Sequence, residues 1–233
     1  LLSPHGLDIS DLHRVFDCVH EHQVDYADLY LQSTREERWS MEDGVVKSGS
    51  FSVDQGFGLR ALNVDKTAFA YSQHIDRQQL MEGARSVRTV ATHGDGRIEL
   101  KGQALQRSGF YGHDDPLQAC ETAEKIALLQ SIDRKARALD PRVCRVIAHL
   151  QLSHSVIMVM RHDGRLAADL RPMLVLQMRV FVNQNGRLES SGGNIGGRSD
   201  FSLYSDARVD QELRRVVDSA LINLEAEAAP AGS

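Results

Sequence analysis

Ala27-Asp28-Leu29-Tyr30-Leu31-Gln32, followed by Trp39-Ser40-Met41-Glu42-Asp43-Gly44-Val45-Val46, is the stretch on which the fold turns. Ala27, Leu29 and Leu31 alternate with Asp28, Tyr30 and Gln32 at the two-residue period of a half-buried strand. A second strand is expected from Trp39 to Glu42. Asp43-Gly44 then predicts a hairpin, because glycine accepts the positive φ of a tight primed turn, and Val45 to Val53 would return antiparallel. Gln55 to Asn63 and Thr67 to Tyr71 read as one more hairpin, across Asp65-Lys66.

Upstream, Ile9, Leu12, Val15, Phe16 and Val19 recur at helical spacing behind Asp8 or Ser10, which predicts a helix of roughly four turns ending near His22. Downstream, Asp76 and Gln79 make a capping-box-like start for a helix whose apolar face is Leu80, Ala84 and Val87. A longer stripe from Ala123 through Ile126, Leu129, Ile132, Ala136 and Leu139 predicts a helix stopped by Asp140-Pro141. Strands are expected over Val143 to Gln151, Val156 to Met160 and Leu174 to Val182, with turns at Asp163-Gly164 and Asn185-Gly186. Val209, Leu213, Val216, Val217 and Leu221 give one side of a closing amphipathic helix from about Asp206 to Glu225.

These elements make an α+β protein of two small subdomains, each a mainly antiparallel sheet with flanking helices. The segment Thr92 to Asp115 loses periodicity and carries Gly94, Gly96, Gly102, Gly109 and Gly112, so it reads as a linker. The boundary is placed between an amino-terminal domain, 1–113, and a central domain, 114–233.

Hydrophobic residues at 42% and charged residues at 25% are ordinary globular usage. The net charge is −5 with the basic residues scattered, so nucleic acid is not expected as a partner. No apolar run approaches the roughly 18–20 residues of a membrane span, and the first ten residues lack the pattern of a signal peptide. Cys18, Cys120 and Cys144 have no C-x-x-C spacing and read as reduced, buried thiols. A cytoplasmic protein with no membrane partner is the expectation.

Candidate chemistry is sparse. Ser190-Ser191-Gly192-Gly193-Asn194-Ile195-Gly196-Gly197-Arg198 could cradle an anion, but it lacks the Lys-Ser/Thr of a P-loop and reads as a flexible connection permitting close backbone approach. His20-Glu21-His22 puts two imidazoles at i and i+2, which face different sides of a helix, so it reads as a solvated helix end rather than a metal pair. His149 and His154 read as ordinary strand or turn residues. Cys120 or Cys144 would be a nucleophile only with a histidine in reach, and a buried thiol is the default. Asp76, Asp163, Asp169, Asp200 and Asp206 fall mostly at caps and turns. No catalytic, cofactor-binding or metal-binding residue is assigned.

Several blocks nevertheless stand in a recognisable order. Tyr26-Ala27-Asp28-Leu29-Tyr30, Glu42 to Ser50, Asp54-Gln55-Gly56-Phe57-Gly58-Leu59-Arg60-Ala61 and Lys66 to Tyr71 resemble the start of TldD-type subunits of the TldD/PmbA family of zinc metallopeptidases. Asp163-Gly164-Arg165-Leu166-Ala167-Ala168-Asp169-Leu170-Arg171-Pro172 and Ala220 to Gly232 resemble the same subunit up to its domain junction. The resemblance implies the scaffold and chamber-forming portion of a cytoplasmic peptidase that cleaves unfolded peptides, paired with a PmbA/TldE-type subunit. In that family an H-E-x-x-x-H helix binds zinc, and no such motif occurs in these 233 residues. No zinc, no cofactor and no peptidase activity are therefore expected of this chain, although zinc belongs to the full-length family protein. A fragment of a longer protein is expected, with a naturally short product as the alternative. A stand-alone interaction module remains the second function class, and a homodimer of the chain is expected if an apolar interface is left exposed.

Overall fold

A computed structural model describes residues 1–90, 106–107, 111–112, 114–227 and 232. Most of the Thr92 to Asp115 linker therefore lies outside the described residues. Seven strands, β1 (Tyr26–Glu42), β2 (Val45–Asn63), β3 (Lys66–Ser72), β4 (Gln106–Arg107), β5 (Val143–Arg161), β6 (Leu166–Gln184) and β7 (Arg187–Gly197), join one sheet. Its order is β3-β2-β1-β5-β6-β4, with β7 also paired to β6. The helices are α1 (Ile9–Val19), α2 (Arg77–Val87), α3 (Thr122–Leu139) and α4 (Asp206–Glu225).

The α+β class holds, but the strands form one sheet rather than two, and the compact units interleave along the chain. The first unit takes 1–35, 53–111 and 155–171; the second takes 36–52, 112–154 and 172–233. Hence β1, β2, β5 and β6 each carry a segment in either unit. The expected short strands fuse: 27–32 and 39–42 are one strand, as are 45–53 with 55–63 and 143–151 with 156–160.

In the first unit, Leu12, Val15, Phe16 and Val19 of α1 and Leu80, Ala84 and Val87 of α2 bury one core with Ala27, Leu29, Leu31, Leu59 and Ala61 of the strands. Asp8 caps α1 by accepting the Asp11 N–H at 3.1 Å, while Asp11 accepts the Asp8 N–H at 3.1 Å. The helix stops at Val19, one turn short of expectation, with His20 as its C-cap. Asp76 caps α2 through the Gln79 N–H at 2.8 Å. The β2–β3 turn falls on Val64-Asp65 rather than Asp65-Lys66, with Val64 at φ +56° and its N–H donated to Asp25 Oδ2 at 2.6 Å.

In the second unit, Leu129, Ile132 and Ala136 of α3 and Val209, Leu213, Val216 and Ala220 of α4 close over Val146, Ala148, Leu150, Leu174, Leu176 and Val180. Asp43 and Gly44 turn β1 into β2 at φ +49° and +73°, and Asn185 and Gly186 turn β6 into β7 at +55° and +85°, the paired positive φ values of a primed turn. The glycine-rich stretch read as a flexible connection is β7 itself, in register with β6 from Leu174↔Gly197 to Gln184↔Arg187. α4 lies directly on it: a Cβ at Gly193 would meet Val216 Cγ2 at 2.6 Å and also collide with Glu212. Periodicity missed the strand because glycine supplies no side chain to alternate.

Candidate functional site

The histidine pair is not a solvated helix end. His20 is 8% exposed, and neither of its ring nitrogens has a hydrogen-bond partner among the described residues. Its ring centroid lies 5.4 Å from that of His162, which packs edge-on to Tyr26 at 5.3 Å. Burial holds both imidazoles below their ordinary pKa, and for His20 the neighbouring His162 adds to the effect. His22, two residues further on, is half-buried. His149 is exposed on β5, whereas His154 is buried on the core face of the same strand.

The cysteines do not pair, and they divide by burial. Cys18 is buried, and desolvation raises its thiol pKa. Cys120 is buried with its thiol donating to Glu124 Oε2 at 3.2 Å, and its pKa is pushed up to about 12 by desolvation and that carboxylate. A thiol so protonated is a poor nucleophile at neutral pH. Cys144, expected to be buried, is exposed near the start of β5, where its thiol lies 3.5 Å from Phe181 O.

The acidic residues mostly have structural partners. Asp200 caps the short 3-10 helix Phe201–Tyr204 through the Ser202 N–H at 2.8 Å, and Asp206 pairs with Lys135 at 2.7 Å. Asp169 pairs with Arg171 at 2.7 Å, and Asp163 with Arg161 at 3.0 Å. Among the described residues no three of His, Cys, Asp and Glu come together in a way that could hold a metal ion. The donor set among the described residues therefore does not fit a zinc site.

Concave surfaces occur in both units. In the second unit, open clefts of about 660 and 420 Å³ share His149 and Gln177 in their walls. Arg179, Gly192, Asn194 and Arg215 line the larger, while Arg38, Trp39 and Ser48 line the smaller. Arg215 is already engaged by Glu212 at 2.7 Å and donates to Gly192 O at 3.4 Å. Among the described residues no carboxylate or thiol lines either cleft to orient His149 as a general base. The surface suits binding by hydrogen bonds.

In the first unit, a groove of about 410 Å³ runs over Gly56 and Gly58 of β2 between Tyr30 of β1 and Phe69 and Tyr71 of β3. Phe69 and Tyr71 stack with centroids 6.1 Å apart and are 62% and 78% exposed. Sequence reading passed over this groove. Its signal was present as three aromatic residues on the polar phase of two predicted strands, Tyr30 on one and Phe69 and Tyr71 on the other.

Comparison with known proteins matches residues 27–91 to the family model "PmbA/TldA metallopeptidase domain 1" and residues 115–224 to "PmbA/TldA metallopeptidase central domain". A protein named metalloprotease TldD homolog from Haemophilus influenzae is 38% identical over 240 residues, covering 100% of this chain and 50% of the relative. One of the same name from Buchnera aphidicola subsp. Schizaphis graminum is 33% identical over 230 residues, covering 94% of this chain and 47% of the relative. The chain thus spans about half the length of the curated relatives it matches. Among solved structures, a candidate modulator of a DNA gyrase from Thermotoga maritima MSB8 superposes with a TM-score of 0.74 at 15% identity, covering 96% of this chain and 50% of that one. TldE from Thermococcus kodakarensis gives 0.64 at 11% identity, covering 91% and 47%. These two likenesses concern the fold alone.

Proposed function

The chain belongs to the PmbA/TldD metallopeptidase family, and on that premise we propose that it is the scaffold and chamber-forming portion of a TldD-type zinc metallopeptidase acting on unfolded peptides. The observation that carries this reading is the ordered match of both family domains along a chain that aligns end to end with half of a TldD homologue. Among the described residues none fits a zinc site, and none is assigned a step in hydrolysis. Zinc and the residues that use it would lie in the remainder of the full-length protein. We place that protein in the cytoplasm, with a PmbA/TldE-type subunit as its partner. The likeness to TldE supports a partner of the same fold. The family matches break between residues 91 and 115, which supports keeping 1–113 and 114–233 as evolutionary domains even though the compact units interleave.

The test compares two preparations with the PmbA/TldE-type subunit: the 233-residue chain, and the full-length protein of which it is proposed to be part. Chelator-sensitive cleavage of an unfolded peptide is expected only from the full-length pair. Cleavage by the 233-residue chain alone, or one tightly held zinc per chain after dialysis, would overturn the scaffold assignment. Absence of cleavage by the full-length pair would favour the stand-alone interaction module.

A further inference from the structure

We propose that the groove over Gly56 and Gly58 is a docking site for a lysine or arginine side chain of an extended polypeptide that pairs with the outer edge of β3. The proposal adds a peptide-contacting surface to the scaffold role and rests on that reading only for the supply of extended polypeptide.

The groove is shaped by what its floor lacks. A Cβ at Gly56 would lie 2.6 Å from Ser72 O, and one at Gly58 would lie 2.9 Å from Phe69 Cζ. Side chains are thereby kept out of the middle strand, while Tyr30 rises on one side and Phe69 and Tyr71 on the other. A ring laid across a glycine is a common way to cover bare backbone, and it accounts for Phe69 over Gly58. It does not account for Tyr71, which is 78% exposed, or for Tyr30, 40% exposed, with its hydroxyl held by Gln32 Oε1 at 2.6 Å. Aromatic faces turned to water on both walls of one groove are a surface built for contact.

Charge selects the occupant. Arg60, the register neighbour of Phe69, is held by Asp28 through bonds of 2.9 and 2.7 Å, so that pair cancels. Asp54 lines the groove and has no cationic partner among the described residues. One unpaired carboxylate beside exposed aromatic faces is the combination that attracts a cation, by Coulomb energy and by the ring quadrupoles together. β3 is the last strand in the sheet order and pairs only with β2 among the described residues, so its second row of backbone N–H and C=O groups can accept another strand. In strand addition the backbone pairing supplies affinity and a pocket for alternate side chains supplies selectivity.

The experiment titrates the purified chain with two acetylated, amidated peptides of alternating Thr and Val. One carries a central Arg and the other carries citrulline, which has the same shape without the charge. Calorimetry is expected to show the Arg peptide binding at least tenfold more tightly. Asp54→Asn should erase most of that preference, and Tyr71→Ala should weaken the Arg peptide by about tenfold, or roughly 1.4 kcal/mol. Both positions are surface sites, and unchanged circular dichroism verifies the fold of each variant. A backbone N-methylated Arg peptide should bind more weakly if edge pairing contributes. Equal binding of Arg and citrulline peptides, unchanged binding by either variant, or no binding at millimolar peptide would overturn the proposal. So would a concentration-dependent dimer abolished by Tyr71→Ala, which would give the groove to a second copy of the chain. No step of this test involves cleavage, so its failure leaves the peptidase reading standing.

Discussion

Lys125 Nζ lies 2.7 Å from Glu37 Oε2 with the lysine side chain 3% exposed and the glutamate 13% exposed. The ammonium also donates to Leu117 O at 3.0 Å, and the other glutamate oxygen accepts the indole N–H of Trp39. A charge pair this dry is costly to break, because the surviving partner keeps its desolvation penalty without its counter-ion. Lys125→Met or Glu37→Leu alone should therefore cost about 3–5 kcal/mol. The double substitution should cost less than the sum of the singles. Trp39 is the only tryptophan and touches the pair, so its emission reports the urea transition directly. Additive losses would show that the two charges are not energetically coupled.

Gly193 faces the adjacent Val216, Glu212 and Arg215 side chains of α4 with no room for a methyl group. Gly193→Ala should destabilise by about 1–3 kcal/mol, the range for overpacking a tight contact. Gly197→Ala on the same strand is the control, since its Cβ would find Leu203 at an ordinary 3.7 Å. That change should stay within about 0.5 kcal/mol of the parent. Equal losses at the two positions would mean that strand conformation, not the approach of α4, sets the need for glycine.

Val64 holds φ +56° at the tip of the β2–β3 turn while 86% exposed. A β-branched residue in this region is strained, and here it packs against little that could compensate. Val64→Asn should stabilise the chain by about 0.5–1 kcal/mol, because asparagine tolerates the left-handed conformation. A lower thermal midpoint would show that the valine side chain contributes more than its backbone costs.

What was legible in the sequence depended on which physical signal each element carried. The four helices and the Asp43-Gly44 and Asn185-Gly186 turns were readable because apolar spacing and local φ demands are local properties. Long strands were cut short because their burial pattern slips. In β5 the buried positions are Val143, then Val146, Ala148, Leu150, Leu152 and His154 in alternation, then the odd-numbered Ile157, then Met160, so alternation fails beyond residue 154 although the strand continues to Arg161. In β1 the alternation ends at Leu31 and buried residues resume only at Met41. β7 had almost no side-chain pattern to read. The interleaved units were invisible for a related reason: they are made by pairing between distant segments, and no local window contains both partners. His20 was misjudged because the ring that covers it, His162, is far along the chain.

That covering ring leads to the last prediction, a histidine-dependent loss of stability on acidification. His20 and His162 are both held below their ordinary pKa by burial, His20 further by its neighbour and His162 by Arg161, with Asp17 acting oppositely on His20 and Asp163 and Asp28 oppositely on His162. In the unfolded chain each imidazole returns to about 6.5. Below that value, and until the lower folded pKa is passed, the unfolded state binds more protons, so stability rises with pH. Their contribution is fully present above about pH 6.5 and is lost as pH falls through the folded values. Each proton taken up only on unfolding steepens the dependence by at most about 1.4 kcal/mol per pH unit. Urea midpoints measured from pH 7.5 to 5.5 should decline for the parent and decline less for His20→Leu and for His162→Gln. Asp8 and Asp11, whose pKa values are lowered by hydrogen bonds from Ser10 and Arg77 respectively, lose their contribution only at more acidic pH, so they do not mimic the effect in this window. Identical slopes in the parent and both variants would mean that protonating this pair does not oppose the fold.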